Sequence, residues 1–295
     1  MNLSDVHLFL VIAESGSMAQ AARRLNLSPM SVSRRLALLE HEVGKRLIQR
    51  TTRALSLTQE GEEFIPYARA MTDAEASAKA LFMPEAQGAG GLLRITAPSG
   101  LGRRTIVPLI PDLLLNNPEM RVDLQLNDEV VDIVSRGIDV AVRVAPLRDS
   151  SLVARKIADN PRILCASPDY LARHGKPGVL SDLRAHNCLR LTNVLNWSFE
   201  VDRQIISHSV DGRFTSSNVE GIRALCIQGL GLSQLTYWDV KEELSQGSLV
   251  EIALGDAAPQ PLSIWAVLPT ARYLPRRVTL FIDALKTALR PVAGV

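Results

Sequence analysis

The 295-residue chain has no run of about eighteen consecutive apolar residues, the length a helix needs to cross a bilayer. Its first residues, MNLSDVHLFL, have no basic n-region and include Asp5 and His7, so they do not read as a secretory signal. Cysteine is scarce. Cys165, Cys188 and Cys226 are odd in number and far apart, which excludes a disulfide framework and a zinc signature. The five histidines, His7, His41, His174, His186 and His208, have no metal-ligand spacing. A GxSxG elbow and a phosphate loop are both missing. These absences exclude the common hydrolase and nucleotide-hydrolysing classes. They leave no catalytic residue, metal or cofactor to expect, and they point to a reducing cytoplasm with no membrane partner. Buried structural thiols are a simpler reading of Cys188 and Cys226 than a redox pair, since Leu225 and Ile227 flank Cys226 with apolar groups.

An overall excess of one charge is also lacking, because the net charge is only +2. The sum hides an asymmetry. Residues 1–58 carry eight basic and four acidic side chains, while the remainder carries 25 basic and 27 acidic ones. A basic head on a near-neutral body suits an anionic polymer held at one end.

What the head contains is a set of short helices with clear boundaries. Val6, Phe9, Leu10 and Ala13 recur at helical spacing, and Ser15-Gly16-Ser17 interrupts them. Ser17 caps a second helix, Met18 to Leu25, rich in small residues that let a neighbour approach. After the tight turn Asn26-Leu27, Ser28 caps a third helix with Pro29 at its first position, and Gly44 ends it. Val32, Leu36, Leu39 and Val43 fall on one face of this helix and point inward. Met30, Ser33, Arg34 and Ala37 fall on the other. Arginine, hydroxyl and small apolar groups at the start of an exposed face match the edges of the DNA major groove. The arrangement is a helix-turn-helix; a plain helical bundle with a solvated face is the alternative. LIQRTTRALSLT (47–58) then reads as a hairpin wing, with Arg50, Thr51 and Arg53 near its tip, placed for phosphates or the minor groove.

The stretch from Phe9 to Gly61 resembles the DNA-binding module of LysR-type transcriptional regulators. The resemblance rests on Phe9, Ala21-Ala22, Leu25, Ser28, Ser33-Arg34, Leu39-Glu40, Gly44, Leu47, Arg50, Leu57-Thr58 and Gly61. It implies that Ser28, Pro29, Met30, Ser33 and Arg34 read bases and contact phosphates. It also implies that Arg50, Thr51 and Arg53 hold the backbone of double-stranded promoter DNA. Many members have Ser-Gln-Pro where this chain has Ser28-Pro29-Met30, so no promoter preference carries over.

From Gln59 to about Phe82 the residues Phe64, Tyr67, Met71, Ala74, Ala78 and Leu81 step by three and four. This thin seam calls for a partner helix, either a second copy of the chain or the helix's own domain. Pro66 lies early enough to bend the helix without ending it. The resemblance favours a homodimer built on this linker, growing to a tetramer or higher, with RNA polymerase as a further candidate partner. Pro84 and Gly88 to Gly91 end the helix in a joint.

Beyond Leu92 strands alternate with helices: 92–98, a helix from Thr105 to Asn116, 121–128, 138–144, then 163–167, 188–191, a helix from Asn218 to Gln228, 229–236, 263–269 and a last helix from Arg276 to Leu289. Such an order predicts an α/β fold with a mostly parallel sheet. Two sheets joined by more than one crossing segment make a cleft, where ligands bind at strand ends and helix starts. Pro98-Ser99-Gly100, Arg143 and Asn218 are the polar candidates. Helix capping by Ser99 and Asn218, or an ion pair to Arg143, are the structural alternatives. The resemblance extends over this part, with Arg272, Leu274, Pro275 and Arg277 similar to the CrgA-like branch. It implies a periplasmic-binding-protein-like domain of two α/β subdomains enclosing a small-molecule effector, and adds Thr236 to Pro98, Ser99, Gly100, Arg143 and Asn218 as effector-binding positions. The expected organisation is a winged helix-turn-helix at 1–58, a linker helix at 59–88 and an effector-binding domain at 89–295. Within that domain, subdomain I spans about 92–162 and 264–295, and subdomain II about 163–263.

Overall fold

The computed structural model describes residues 1–50, 55–80, 89–129, 132–133, 136–146, 153–269 and 274–290. Three helices open the chain: α1 (Leu3–Ser15), α2 (Met18–Arg24) and α3 (Pro29–Val43). Each has a side-chain oxygen on a free amide of its first turn, from Asn2, Ser17 and Ser28 respectively. Gly16 and Gly44 end α1 and α3 in the left-handed region, at φ 59° and 76°. The three helices bury Val6, Phe9, Ile12, Ala21, Val32, Leu36 and Leu39 in one core.

β1 (Ile48–Arg50) and β2 (Leu55–Leu57) pair antiparallel as the wing. Glu40 Oε1 of α3 accepts the amides of Leu47 and Ile48 at 2.8 and 3.0 Å, which fixes the wing to the helix before it. Thr58 Oγ1 donates to Arg46 O at 2.7 Å and accepts the amide of Gly61 at 3.0 Å. A Cβ on Gly61 would stand 2.0 Å from Leu47 O, so only glycine allows this approach. α4 (Gln59–Ala80) follows and runs through Pro66 without a break.

The second part begins with β3 (Gly91–Ala97). The helical run after it starts at Ser99, not at Thr105 as the sequence pattern predicts. It comprises α5 (Ser99–Leu101), a π-turn at Gly102–Ile106, a 3-10 turn at Val107–Leu109 and α6 (Ile110–Leu115). Pro108 and Pro111 lack amide donors, which is why an unbroken helical periodicity is hard to see here. Next come β4 (Met120–Leu126), β5 (Val140–Ala145) and β6 (Val153–Asp159). The chain crosses into a second subdomain containing β7 (Arg162–Ala166), α7 (Pro168–His174), β8 (Arg190–Leu191), β9 (Asn196–Val201), β10 (Gln204–Ser209), β11 (Thr215–Ser216), α8 (Val219–Ile227), β12 (Leu232–Thr236), α9 (Tyr237–Gln246), β13 (Val250–Glu251) and β14 (Ala258–Pro259). It returns as β15 (Ser263–Leu268) and ends with α10 (Arg276–Ala288).

The first subdomain has a five-stranded sheet in the order β4-β3-β5-β15-β6. In this sheet the parallel arrangement expected from the sequence holds for β4, β3 and β5, but β15 enters from the opposite end and pairs antiparallel with both neighbours; β8 and β11 of the second subdomain also pair parallel. In the second subdomain β12 and β13 both flank β7 antiparallel, and β10-β9-β14 is antiparallel as well. Val140, Val142, Ile264 and Ala266 pack under Val278, Phe281, Ile282 and Leu285 of α10. The two crossing segments are tied together: Asn160 N donates to Leu262 O at 2.9 Å. The wholly buried Asn160 side chain donates to Thr236 Oγ1 at 3.1 Å and accepts the Trp238 amide at 3.1 Å. The cleft between the subdomains therefore has a braced floor.

Candidate functional site

Two surfaces follow from this framework. The first is the outer face of α3. Its inner face is buried, so Met30 (82% exposed), Arg34 and Ala37 stand in solvent at and beyond the capped end, with Ser33 half-buried among them. Ser28 spends its hydroxyl on the Ser31 amide at 3.2 Å, and Pro29 fills the first helical position. Arg35, next to the exposed Arg34, turns inward and pairs with Asp5 and Ser4 of α1, which sets the angle of α3 on its support. Arg50 ends β1; Thr51 and Arg53 lie outside the described residues.

The seam predicted on α4 divides. Phe64 faces the chain's own first helix, with its ring 5.5 Å from Phe9, and joins Ala68 against that core. This differs from the expectation for Phe64, because α1 already supplies its apolar neighbour. Met71 is half-buried, while Tyr67 (68% exposed), Ala74 and Ala78 lie on an open face; Leu81 is outside the described residues. The opposite side of α4 meets the second half of the chain. Arg277 Nη2 donates to Asp73 at 2.7 Å, and Arg69 Nη1 donates to Gly137 O at 3.2 Å. A further link joins Arg94 of β3 to Glu14 of α1 at 2.6 Å.

The second surface is a cavity of about 260 Å³ between the two subdomains. Of the six positions predicted for an effector, Pro98 and Thr236 line it. The other four are placed differently. Ser99 binds Asp128, its amide donating to Oδ1 at 2.8 Å and its hydroxyl to Oδ2 at 2.6 Å. Gly100 is buried, and a Cβ there would stand 2.5 Å from both Asp239 and Val219. Asn218 caps α8 by accepting the Gly221 amide at 3.0 Å. Arg143 lies outside the cavity lining. Its Nη1 donates to Val142 O at 3.0 Å and its Nη2 to Thr96 at 3.4 Å, and burial lowers its pKa. Strand alternation is the reason: Val140 and Val142 face the α10 core, so Arg143 leaves on the other side.

Several lining residues escape a sequence reading: Arg162, Arg190, Trp197, Gln234 and Asp239. Burial pulls the Arg162 guanidinium below its ordinary value. Burial pushes the Asp239 carboxyl up to about 6, although Thr236 donates a hydrogen bond to it at 2.7 Å and Arg223 lies nearby. The cysteines are all buried. Burial raises Cys188 to about 12, and the Cys226 contact with burial raises Cys165, which leaves little thiolate at neutral pH. Among the described residues no group of three metal-ligand side chains comes together, and no helix is long and apolar enough to cross a membrane.

Comparison with known proteins adds to this geometry. Residues 3–62 match the family described as "Bacterial regulatory helix-turn-helix protein, lysR family", and residues 86–290 match "LysR substrate binding domain". The chain is 34% identical to the HTH-type transcriptional regulator PtxR of Pseudomonas aeruginosa, over 98% of this chain and 93% of that protein. It is 31% identical to the HTH-type transcriptional regulator DmlR of Escherichia coli, over 96% and 93%. Its fold superimposes on the solved structure of CrgA, a LysR-type transcriptional regulator from Neisseria meningitidis. That match has a TM-score of 0.62 and 29% identity, and covers 99% of this chain and all of that one.

Proposed function

The chain belongs to the LysR family of bacterial transcriptional regulators, and from that membership we propose how its own residues carry out the family's task. It is a sequence-specific DNA-binding regulator, not an enzyme, and a small-molecule effector in its C-terminal domain modulates operator binding. In this reading Met30, Ser33 and Arg34 enter the major groove, with Ser28 and Pro29 setting the helix start. Arg50, Thr51 and Arg53 of the wing hold phosphates or the minor groove. The observation that carries it is the division of α3. Val32, Leu36 and Leu39 are buried, while Arg34 and Met30 stand exposed at the capped end.

The open face of α4, with Tyr67, Ala74 and Ala78, joins two copies and so presents two recognition helices to two half-sites. Phe64 backs that face from inside the chain, and the half-buried Met71 lies on the face itself. A tetramer then forms from two dimers, with RNA polymerase as the downstream contact and the cytoplasm as the location. The effector binds in the cavity between the subdomains, over 89–295, and shifts the population between two arrangements of the dimer. Residues 1–58 and 59–88 act as the reading head and its linker.

The test is fluorescence anisotropy with promoter DNA adjoining the gene, at fixed salt, comparing the natural protein with Arg34→Ala. The variant is expected to bind about ten- to a hundredfold more weakly. Equal binding would remove Arg34 from the interface and with it this reading of α3.

A further inference from the structure

A strand at the rim of a sheet leaves amides and carbonyls without a partner, and proteins guard such rims with charge or proline. The five-stranded sheet is guarded in this way: its rim strand β4 carries Arg121 and Asp123, and its rim strand β6 carries Arg155 and Lys156. In the sheet β10-β9-β14 one rim strand, β14, contains Pro259. The other, β10, has no such guard. Its six residues, Gln204–Ser209, include no lysine, arginine, acid or proline. Five of them are exposed and His208 is half-buried; Ile205 and Ile206 are 51% and 36% exposed.

The phase of the ladder fixes which main-chain groups face outward. Val210 N donates to Leu195 O at 3.3 Å, and hydrogen-bonded and open pairs alternate from there along the β9-β10 register. Gln204, Ile206 and His208 therefore turn their main-chain groups to β9. Ile205, Ser207 and Ser209 turn theirs away from it. Ser198, opposite Ser207, shows the same phase from the other strand: its carbonyl points away from β10 and accepts the Gln260 amide at 3.0 Å. β10 thus presents three amides and three carbonyls in a row, with two exposed isoleucines among them.

Antiparallel pairing joins the outward-facing residues of one strand to those of another. About a twofold axis at Ser207, Ser207 faces Ser207 of a second copy and Ile205 faces Ser209. The same register brings Arg203 of each copy beside Asp211 of the other, at both ends of the pair. Arg203 and Asp211 are exposed, and among the described residues neither forms an ion pair within the chain. No like charges meet between them, because β10 carries none. A foreign peptide would need this charge pattern by coincidence; a second copy has it by symmetry.

We infer that β10 is a self-docking strand: two copies of this chain join edge to edge there, making one six-stranded antiparallel sheet in the order β14-β9-β10-β10-β9-β14. The contact covers Ile205 and Ile206 and satisfies the outward amides of both copies. It is separate from the open face of α4 and does not rest on it. One such twofold contact closes a dimer, and a chain with two different ones grows from dimer to tetramer. A pairing of six residues is small beside the roughly 1,200–2,000 Å² of a stable interface, so it forms at high local concentration.

The test is disulfide cross-linking of the full chain at high protein concentration under mild oxidation. The native cysteines are all buried, so an added surface thiol reports alone. Ser207→Cys sets two thiols at the axis, where facing Cα atoms of a hydrogen-bonded antiparallel pair lie about 5.5 Å apart, within disulfide range. Gln204→Cys is the control, because the two copies of that position lie about 20 Å apart along the paired strands. Ser207→Cys is expected to cross-link at least about tenfold faster than Gln204→Cys. Such a disulfide reports β10 whatever contact α4 makes. Charge reversal then tests the register in the Ser207→Cys protein. Arg203→Asp sets acid against acid at both ends, and Asp211→Arg sets base against base. Each alone should slow the cross-link about three- to tenfold. Mixing the two variants restores opposite charges at both ends, and the cross-link between unlike chains should recover. Two results overturn the inference: Ser207→Cys cross-links no faster than Gln204→Cys, or the mixed charge variants cross-link no faster than either alone.

Discussion

The seam between the DNA-binding end and the effector domain uses arginine in one way, and the cleft inside the effector domain uses it in another. Across the seam Arg277 donates to Asp73 at 2.7 Å and stands 3.4 Å from Asp139, and Arg94 donates to Glu14 at 2.6 Å. Burial works to lower the Arg277 pKa, but its two carboxylates outweigh burial and raise it. In the cleft, burial lowers Arg162 with no acid to oppose it. The seam also encloses the larger cavity, about 540 Å³ against 260 Å³. Charge balance separates Arg277, whose two carboxylates mark a joint, from Arg162, although Arg69 of the same seam is held by carbonyls alone and burial lowers its pKa.

The sharpest way to break this comparison is Arg277→Met. The arginine is buried, and its loss leaves Asp73 and Asp139 without their ion-pair partner, with Arg69 acting on them from farther off. Removing one member of a buried pair costs about 3–5 kcal/mol, and the partial exposure of Asp73 puts this case toward the lower end. Urea unfolding should show it. If Arg277→Met costs no more than Arg190→Met, pairing is not what separates the seam from the cleft.

Next in size is the pH response of Asp239 in the cleft wall. Its folded pKa of about 6 exceeds the ordinary carboxylate value of about 3.9, so the folded state holds the proton more tightly. Stability therefore falls as pH rises from about 4 through 6 and is level above that. Asn does not titrate. Relative to Asp239→Asn, the natural protein should lose about 2–3 kcal/mol across that window. Urea midpoints between pH 4 and 7.5 measure it; parallel curves for the two proteins would remove the desolvation account.

The two halves also differ in how far the sequence reveals them. In the head every boundary has a local chemical sign: Ser17 and Ser28-Pro29 start helices, and Gly16 and Gly44 end them. In the effector domain the β9-β10 hairpin carries no such sign. Its turn is Asp202-Arg203, both at positive φ (50° and 64°), where Asn-Gly would be the usual signal. The charged helix α9 likewise leaves little apolar periodicity to read. Pro98 is legible as a cavity residue because it follows a strand and precedes a helix start, whereas Thr236 is legible only through the family resemblance. Arg162 and Arg190 are not, since an arginine opening a buried strand looks like an ordinary charged flank. Only the folded chain reveals that neither meets an acid among the described residues.

A smaller effect is expected at Gly137, on the seam. It sits at φ 58°, and a Cβ there would fall 1.3 Å from Arg69 Nη1. Gly137→Ala combines left-handed strain with displacement of Arg69 from the carbonyls of Arg136 and Gly137. About 1–2 kcal/mol should be lost, read as a lower urea midpoint. Arg69→Ala in the same background separates the two causes: a loss that persists there is backbone strain, and a loss that vanishes is the clash.

The smallest effect belongs to the outermost contact of the seam, Glu14 with Arg94. Glu14 is about a third exposed and also approaches Arg24 at 3.7 Å, so solvent weakens both attractions. An ion pair of this kind contributes about 1 kcal/mol or less, and salt reduces it further. Glu14→Gln should therefore lower stability slightly at low ionic strength and hardly at all at 0.5 M salt. Arg277→Met should keep most of its penalty at both, because its carboxylates are more deeply set. The ratio of the two salt responses measures how the seam grades from a screened rim to a buried centre. Identical salt dependence at both positions would mean that the seam opens to water throughout, and that its arginines hold the two halves together no better than surface pairs do.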